Sequence, residues 1–198
     1  NLAWKLADVL GARAGASLLD SYEPERIAFA RRLVATTDRA FTIVTSRGPL
    51  ARRIRIGLVP RVVPILTSFR AVRRLMFRTI SQTQVNYRGG PLSVGRAGRV
   101  HAGDRLPWVE AVDNFALLAS LDWQVHVYGR ATAELREAAA AAKLALHEWP
   151  WGRAARQAGL AENALYLMRP DGHVGFARDG QDVAALRSYL GRVGIVGR

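Results

Sequence analysis

Gln124-Val-His-Val-Tyr-Gly129 is the stretch on which the reading of this fold turns. Polar and apolar residues alternate over 124–128 and Gly129 closes the run, the pattern of a β-strand. Alanine-rich residues 132–145 predict a helix, and Leu144-Ala-Leu-His-Glu-Trp149 offers a second strand overlapping the end of that helix. Ala164-Leu-Tyr-Leu-Met168 and His173-Val-Gly-Phe-Ala177 flank Arg169-Pro-Asp-Gly172. Proline at the second turn position and glycine at the fourth suit a type I turn, so the two runs predict a hairpin. Val183, Leu186, Leu190 and Val193 recur at helical spacing and mark a closing helix.

Upstream of this α/β block the pattern changes. Residues 1–38 read as two helices separated by Gly11-Ala-Arg-Ala-Gly15, and the chain opens already helical, with no initiator Met. Leu2, Leu6, Val9 and Leu10 fall on one face of the first. The second starts near Asp20 or Ser21, either of which can cap, with Pro24 tolerated in the first turn. In residues 39–105, Pro60 and Pro64 are expected to interrupt helix. Beyond them Ile65, Phe69, Val72 and Met76 line one face, and Arg70, Arg74 and Arg78 another, which predicts an amphipathic helix over 65–80. Val85-Asn-Tyr-Arg-Gly-Gly-Pro-Leu-Ser93 reads as a short strand and turn, and Gly- and Arg-rich residues 95–105 as a linker.

Composition narrows the function classes. The 198 residues contain no cysteine, which removes disulfides, thiolate metal sites, cysteine nucleophiles and dithiol redox chemistry together. That fits a reducing cytosol, and no apolar run approaches the length of a membrane-spanning helix. The net charge of +13 is concentrated: residues 39–105 hold fourteen arginines, no lysine and one acid, Asp104, while the remainder is balanced at fifteen basic and fifteen acidic groups. Clustered arginine is the electrostatic footprint of phosphate binding. Here, however, Phe41, Phe69, Phe77 and Tyr87 are the only aromatic residues in that zone and no nucleic-acid-binding signature accompanies it. A membrane-surface helix at 65–80 is a second reading. Contact with acidic protein surface, on another part of the molecule or on a second subunit, is the reading preferred.

The order strand–helix–strand, hairpin, helix looks like a thioredoxin fold. The position of its reactive cysteines would be Tyr128-Gly-Arg-Ala-Thr-Ala133, where nothing can act as a redox nucleophile, because exchange needs a thiolate. No Gly-x-Gly-x-x-Gly follows a strand and no Gly-Lys-Ser/Thr cradle occurs, so Gly89-Gly90 is a turn. His101, His126, His147 and His173 have no metal-ligand spacing. His126 and His147 are expected to face solvent or a satisfied edge, and His173, with Asp171 beside it, lacks a serine at an exposed elbow. No catalytic, cofactor-binding or metal-ligating residue is assigned.

Four stretches carry a resemblance. Asn1-Leu-Ala-Trp-Lys-Leu-Ala7 resembles the helix that follows the Gly-Asp flavin motif in the FAD-dependent aromatic-ring hydroxylases of the phenol-hydroxylase and polyketide-hydroxylase type. Leu18-Leu-Asp-Ser-Tyr-Glu-Pro-Glu-Arg26 is similar to the next helix of that family. Tyr87-Arg-Gly-Gly-Pro-Leu-Ser93 resembles a connecting strand. Ala102-Gly-Asp-Arg-Leu-Pro107 with Leu167-Met-Arg-Pro-Asp-Gly-His-Val174 resembles the appended thioredoxin-like domain of larger members. The resemblance implies an α/β chain in which residues 1–105 are the closing helices and connecting segment of the flavin/substrate domain. Residues 106–198 would be a thioredoxin-like domain without Cys-x-x-Cys. It implies a cytoplasmic parent enzyme that binds FAD, uses NADH or NADPH, and inserts oxygen into a phenolic or polycyclic ring. The flavin-binding machinery would lie upstream, so this piece alone would bind no cofactor and be inactive. Its partners would be that upstream domain and, through 39–105, a second subunit. The competing class is a stand-alone, redox-inactive thioredoxin-like interaction module.

Overall fold

The computed structural model describes residues 1–46, 48–80 and 85–195. They form two compact units, one of residues 1–25 with 86–198, the other of residues 26–85.

The first unit is built on a mixed six-stranded sheet. Its strands are β1 (Val94–Ala97), β2 (Val100–His101), β3 (Gln124–Tyr128), β4 (Ala145–Trp149), β5 (Leu165–Met168) and β6 (Val174–Arg178), in the order β2-β1-β6-β5-β3-β4. β3 and β4 are parallel, with His126 beside His147, whereas β5 is antiparallel to both β3 and β6. The strand–helix–strand expectation therefore holds, with α6 (Ala133–Ala141) as the crossover. Thr132 Oγ1 accepts the Leu135 N–H at 3.2 Å and caps that helix. The hairpin forms as well: the Gly172 N–H reaches the Arg169 carbonyl at 2.9 Å. The closing helix is α8 (Val183–Val193), capped by Asp182 through the Ala185 N–H.

Period-2 alternation splits the core between two faces. Val125, Val127, Leu165, Leu167 and Phe176 pack with Leu135 of α6 and Leu186 and Tyr189 of α8. Tyr128, Tyr166, Met168, Val174 and Ala177 pack on the other face. That second layer includes Ala155 of the short helix α7 (Arg153–Ala158) and residues Leu106 and Val109. With both faces covered, every residue of β3 and β5 is buried.

That covering corrects one expectation. His126 does not face solvent; it is fully buried on the second face, with its ring 4.7 Å from Trp149 and 5.6 Å from His147. Gln124 donates its amide to the Leu117 carbonyl and the Ser120 hydroxyl, both at 2.7 Å, which leaves its Oε1 to accept from His126 Nε2 at 3.1 Å. The ring is therefore the Nε2–H tautomer, and Nδ1 has no partner. His147, on the edge strand, is only half-buried.

Residues 95–105 are not a linker. β1 and β2 make a tight antiparallel pair that continues the sheet. The glycines that suggested flexibility are steric requirements: Gly95 and Gly98 both have positive φ, and a side chain on Gly95 would collide with the Ala177 carbonyl of β6. Residues 85–93, in contrast, hold turns and no strand.

α1 (Leu2–Leu10) and a 3-10 turn at Ala16–Ser21 belong to the first unit. α2 (Tyr22–Thr45) starts beside the expected caps and runs further than expected. The second unit comprises the rest of α2, then α3 (Pro49–Arg53), a π-helical segment Ile54–Leu58, α4 (Val59–Ser68) and α5 (Arg70–Ile80). Pro60 stands at the start of α4, directly after the π-helical segment, and Pro64 lies inside the helix; neither ends it. The single helix expected over 65–80 is instead broken at Phe69, which is extended (φ −75°, ψ 126°). Thr67 and Ser68 hydroxyls donate to the Pro64 and Ile65 carbonyls and so satisfy the last turn of α4. Arg70 and Arg74 lie on α5; the side chain of Arg78 is outside the described residues. No described residue of 26–80 is buried.

The His126 site sets a pH dependence. Burial foremost, and the neighbouring His147, push its pKa down from 6.5 to about 3. A depressed folded pKa means that the unfolded chain takes up the proton first. His126 thus contributes its full stability above pH 6.5 and loses it as pH falls toward 3. The expected slope from this residue is about 1.4 kcal/mol per pH unit. Urea unfolding between pH 6 and 5 should show it, and His126→Phe should flatten the profile by that amount.

Candidate functional site

A buried cluster of charged side chains lies where α1 and the start of α2 meet the β5–β6 turn. Lys5 and Arg169 are fully buried, and Glu25 is 3 % exposed. Glu25 Oε1 accepts from one Arg169 Nη at 2.6 Å, and Oε2 from the other at 3.1 Å. Oε2 also accepts from Lys5 Nζ at 2.9 Å and Asn1 Nδ2 at 2.8 Å. Lys5 Nζ donates further to Ser21 Oγ at 2.7 Å. Arg169 completes its fork on Asp171, Nε to Oδ1 at 3.1 Å and Nη2 to Oδ2 at 2.8 Å. Asp171 Oδ2 also takes the Trp4 indole N–H at 3.0 Å, and His173 Nδ1 stands 3.3 Å from Oδ1. The Arg169 guanidinium lies 5.2 Å from the Trp4 ring and 5.0 Å from Tyr87.

Two cations and two carboxylates balance. Burial alone would raise Glu25 and Asp171. For Glu25 the hydrogen bonds and charge of Arg169 outweigh it; for Asp171 the hydrogen bond with His173 and the Arg169 charge do. Both end below the ordinary carboxylate range. Burial lowers Lys5, and Glu25 offsets this only in part. Arg169 ends above its usual value because Asp171 and Glu25 outweigh burial. Two carboxylates held ionised below their ordinary range thus sit against two buried cations.

A second anchor sits one turn along α1. Asp8, 3 % exposed, accepts from Arg13 Nε at 2.8 Å and from the Trp123 indole at 3.2 Å. The helix thus buries Lys5 and Asp8 and leaves Leu2, Leu6 and Leu10 exposed, Leu10 to 84 %. Its expected apolar stripe faces out, apart from Val9, which packs on the core.

The β3–α6 turn, where a thioredoxin's cysteines would stand, is closed by its neighbours. The Arg130 N–H donates to Asn163 Oδ1, Ala131 N–H to Glu148 Oε1 and Thr132 N–H to Gln181 Oε1, at 2.8, 2.6 and 2.6 Å. Three consecutive backbone donors of the turn are thus taken by side-chain oxygens. A groove of about 730 Å³ beside it is lined by Arg130, Arg136, Trp149 and Trp151, but Arg136 is spent on Glu148. With three of its backbone donors and Arg136 already taken, this turn is a poor fit to the phosphates of FAD.

Among the described residues no group of three His, Asp or Glu could hold a metal. His101 lies on β2, and only His126 and His147 come together, with no third polar ligand. His173 joins the ion cluster. Sequence reading placed Arg169 and Asp171 in a turn and Glu25 in a helix start, and missed that they meet. The available signal was Lys5 and Asp8, three apart on a helix flanked by Trp4. No described helix is long and apolar enough to cross a membrane.

Residues 1–37 match the family described as FAD binding domain. Over 109 residues the chain is 35% identical to 6-methylpretetramide 4-monooxygenase of Streptomyces rimosus, a match covering 52% of this chain and 19% of that protein. All of the chain superposes on BexE, studied for oxidation during BE-7585A biosynthesis, with a TM-score of 0.68, 28% identity and 39% of that chain covered. It also superposes on CabE, an aromatic hydroxylase from angucycline biosynthesis, with a TM-score of 0.69, 27% identity and 40% covered. In sequence and fold the chain is similar to a class of flavoproteins, the FAD-dependent aromatic hydroxylases. That class takes in the aromatic hydroxylase from angucycline biosynthesis and the 6-methylpretetramide 4-monooxygenase, and the chain spans less than half the length of each.

Removing one member of the buried cluster should be costly. Glu25→Ala leaves Lys5 and Arg169 buried without a carboxylate between them, and a loss of about 3–5 kcal/mol is expected. Urea denaturation of this variant against wild type measures it.

Proposed function

We propose that this chain is the C-terminal structural portion of an FAD-dependent, NAD(P)H-using cytoplasmic monooxygenase that hydroxylates phenolic or polycyclic aromatic substrates. The single observation that carries this reading is the inverted α1. A helix matched to an FAD binding domain buries its charged face on the sheet and presents Leu2, Leu6 and Leu10 outward. Such a face fits packing against a flavin-binding part. In this role FAD supplies the oxygen-activating chemistry. The chain's own residues hold α1 in place and close off the sheet; none touches the reacting atoms.

The order β3–α6–β4, the β5–β6 hairpin and α8 supports a thioredoxin-like scaffold that is silent in redox terms, since it holds no thiol. We place its junction with the flavin/substrate part ahead of Asn86, because β1 and β2 complete the sheet. Residues 26–85 contain thirteen arginines, no lysine and one acid, Asp38. Phe41, Leu50, Ile56, Phe69 and Phe77 are also exposed there. Positive charge interleaved with apolar surface fits an acidic protein partner, either the flavin-binding part or a second subunit, better than nucleic acid.

Three measurements test the proposal. The purified chain, incubated with FAD and desalted, should show no absorbance near about 450 nm, the expected band of an oxidised flavin. Retained stoichiometric flavin would refute it. In the whole enzyme, Leu6→Lys should lower FAD retention while changing the stability of the isolated chain by about 0.5 kcal/mol or less, as for an exposed position. Reversing Arg70, Arg74 and Arg78 to Glu should weaken assembly of the enzyme. Tight, salt-sensitive binding of duplex DNA by the wild type would favour counterion release from phosphates instead.

A further inference from the structure

The sheet ends on β4, and this edge is built to receive a strand. In parallel pairing, alternate residues of a strand direct both backbone groups to the neighbour. The Trp149 carbonyl accepts the Gly129 N–H at 2.7 Å, so Ala145, His147 and Trp149 bond toward β3. Leu146 and Glu148 direct their N–H and C=O groups away from the sheet. Among the described residues nothing bonds to these four groups. Ala145 and Glu148 are exposed, and Leu146, His147 and Trp149 half-buried. The opposite edge, β2, is only two residues long.

We propose that β4 pairs antiparallel with β4 of a second copy of this chain, about a two-fold axis at His147. That register is self-complementary. Leu146 would exchange both backbone hydrogen bonds with the partner's Glu148, and Glu148 with the partner's Leu146, giving four bonds. On the shared face, small Ala145 meets the large ring of the partner's Trp149, and His147 meets the partner's His147. The Glu148 carboxylate stays on Arg136 and the Ala131 N–H, so no charge is stripped of its partner.

Two features favour a second copy over another occupant. Residues 1–25 and 86–198 together carry sixteen basic and fifteen acidic groups, so the net charge of this unit is +1 and like units do not repel strongly. Pro150, lacking an N–H, ends the pairing window directly after Trp149. An isologous pair then closes on itself, and no open ladder of strands can grow.

The chain has no cysteine, so a single introduced thiol reports on this axis alone. Opposed residues in a non-hydrogen-bonded antiparallel pair bring their Cβ atoms to about 4.5–5.5 Å. Under mild oxidation His147→Cys should form a disulfide-linked dimer about tenfold or more faster than Glu134→Cys on α6, because docked thiols meet at effective concentrations in the mM range. Sedimentation should show a dimer for the wild type and a monomer for Leu146→Pro, with circular dichroism confirming that the fold is kept. If Leu146→Pro misfolds, the cysteine comparison decides alone. Equal crosslinking rates for the two cysteines would overturn the proposal. So would a wild type that sediments only as a monomer, or a dimer that a folded Leu146→Pro leaves intact.

Discussion

A bidentate ion pair with no access to water, Glu25 on Arg169, is what the rest of this molecule's first unit is arranged around. Removing two charges from solvent costs several kcal/mol per ion, and only good geometry with every remaining donor and acceptor filled offsets it. The neighbours satisfy that demand. Lys5, Asn1 and Ser21 come from one side, and Asp171 from the other, with Trp4 and Tyr87 covering the guanidinium faces. Apolar residues of the same volume could give comparable stability, but a greasy surface tolerates sliding. A forked guanidinium between two carboxylates fixes one register, so α1 and the start of α2 can dock on the β5–β6 turn in one way only.

This constraint explains the inverted helix. An isolated amphipathic helix is expected to bury its leucines. In α1 the sheet side is taken by Lys5 and Asp8, each with a designated partner, and Leu2, Leu6 and Leu10 are left for something else. α1 thus turns a polar face with specific partners toward the sheet and an apolar face away from it. Residues 26–85 extend the same logic. Their helices carry exposed aromatic and aliphatic side chains and bury none among the described residues, which a free-standing unit would not sustain.

The sheet's centre was readable because local pattern and tertiary role agree there. Val125, Val127, Leu165 and Leu167 alternate in sequence and face one core layer, and Arg169-Pro-Asp-Gly172 is a turn both locally and in the fold. Reading failed where a residue's meaning depends on distant neighbours. Gly95 and Gly98 suggest slack until β6 lies against them. His126 alternates outward on a half-buried strand, yet β3 is covered on both faces. Pro64 signals a break that the chain places instead at Phe69, where two hydroxyls close the helix. The ion cluster was the least legible. Glu25 and Arg169 are 144 residues apart, and nothing local distinguishes a charge that will be buried from one that will be solvated.

At the β3–α6 turn a helix start is filled largely from within the fold. At the C-terminal ends of parallel strands, free N–H groups at a helix start make a ready ligand site. Here Asn163, Glu148 and Gln181 each supply an oxygen to one of those donors, and Gln181 returns its amide to the Arg130 and Asn163 carbonyls. Each of these contacts occupies a donor that an anion would otherwise use and ties the turn to its neighbours. At the opposite end of the sheet Arg169 and Asp171 hold α1 and the start of α2. The buried charges fix that attachment more precisely than an apolar contact of equal area could, because a forked guanidinium accepts one register.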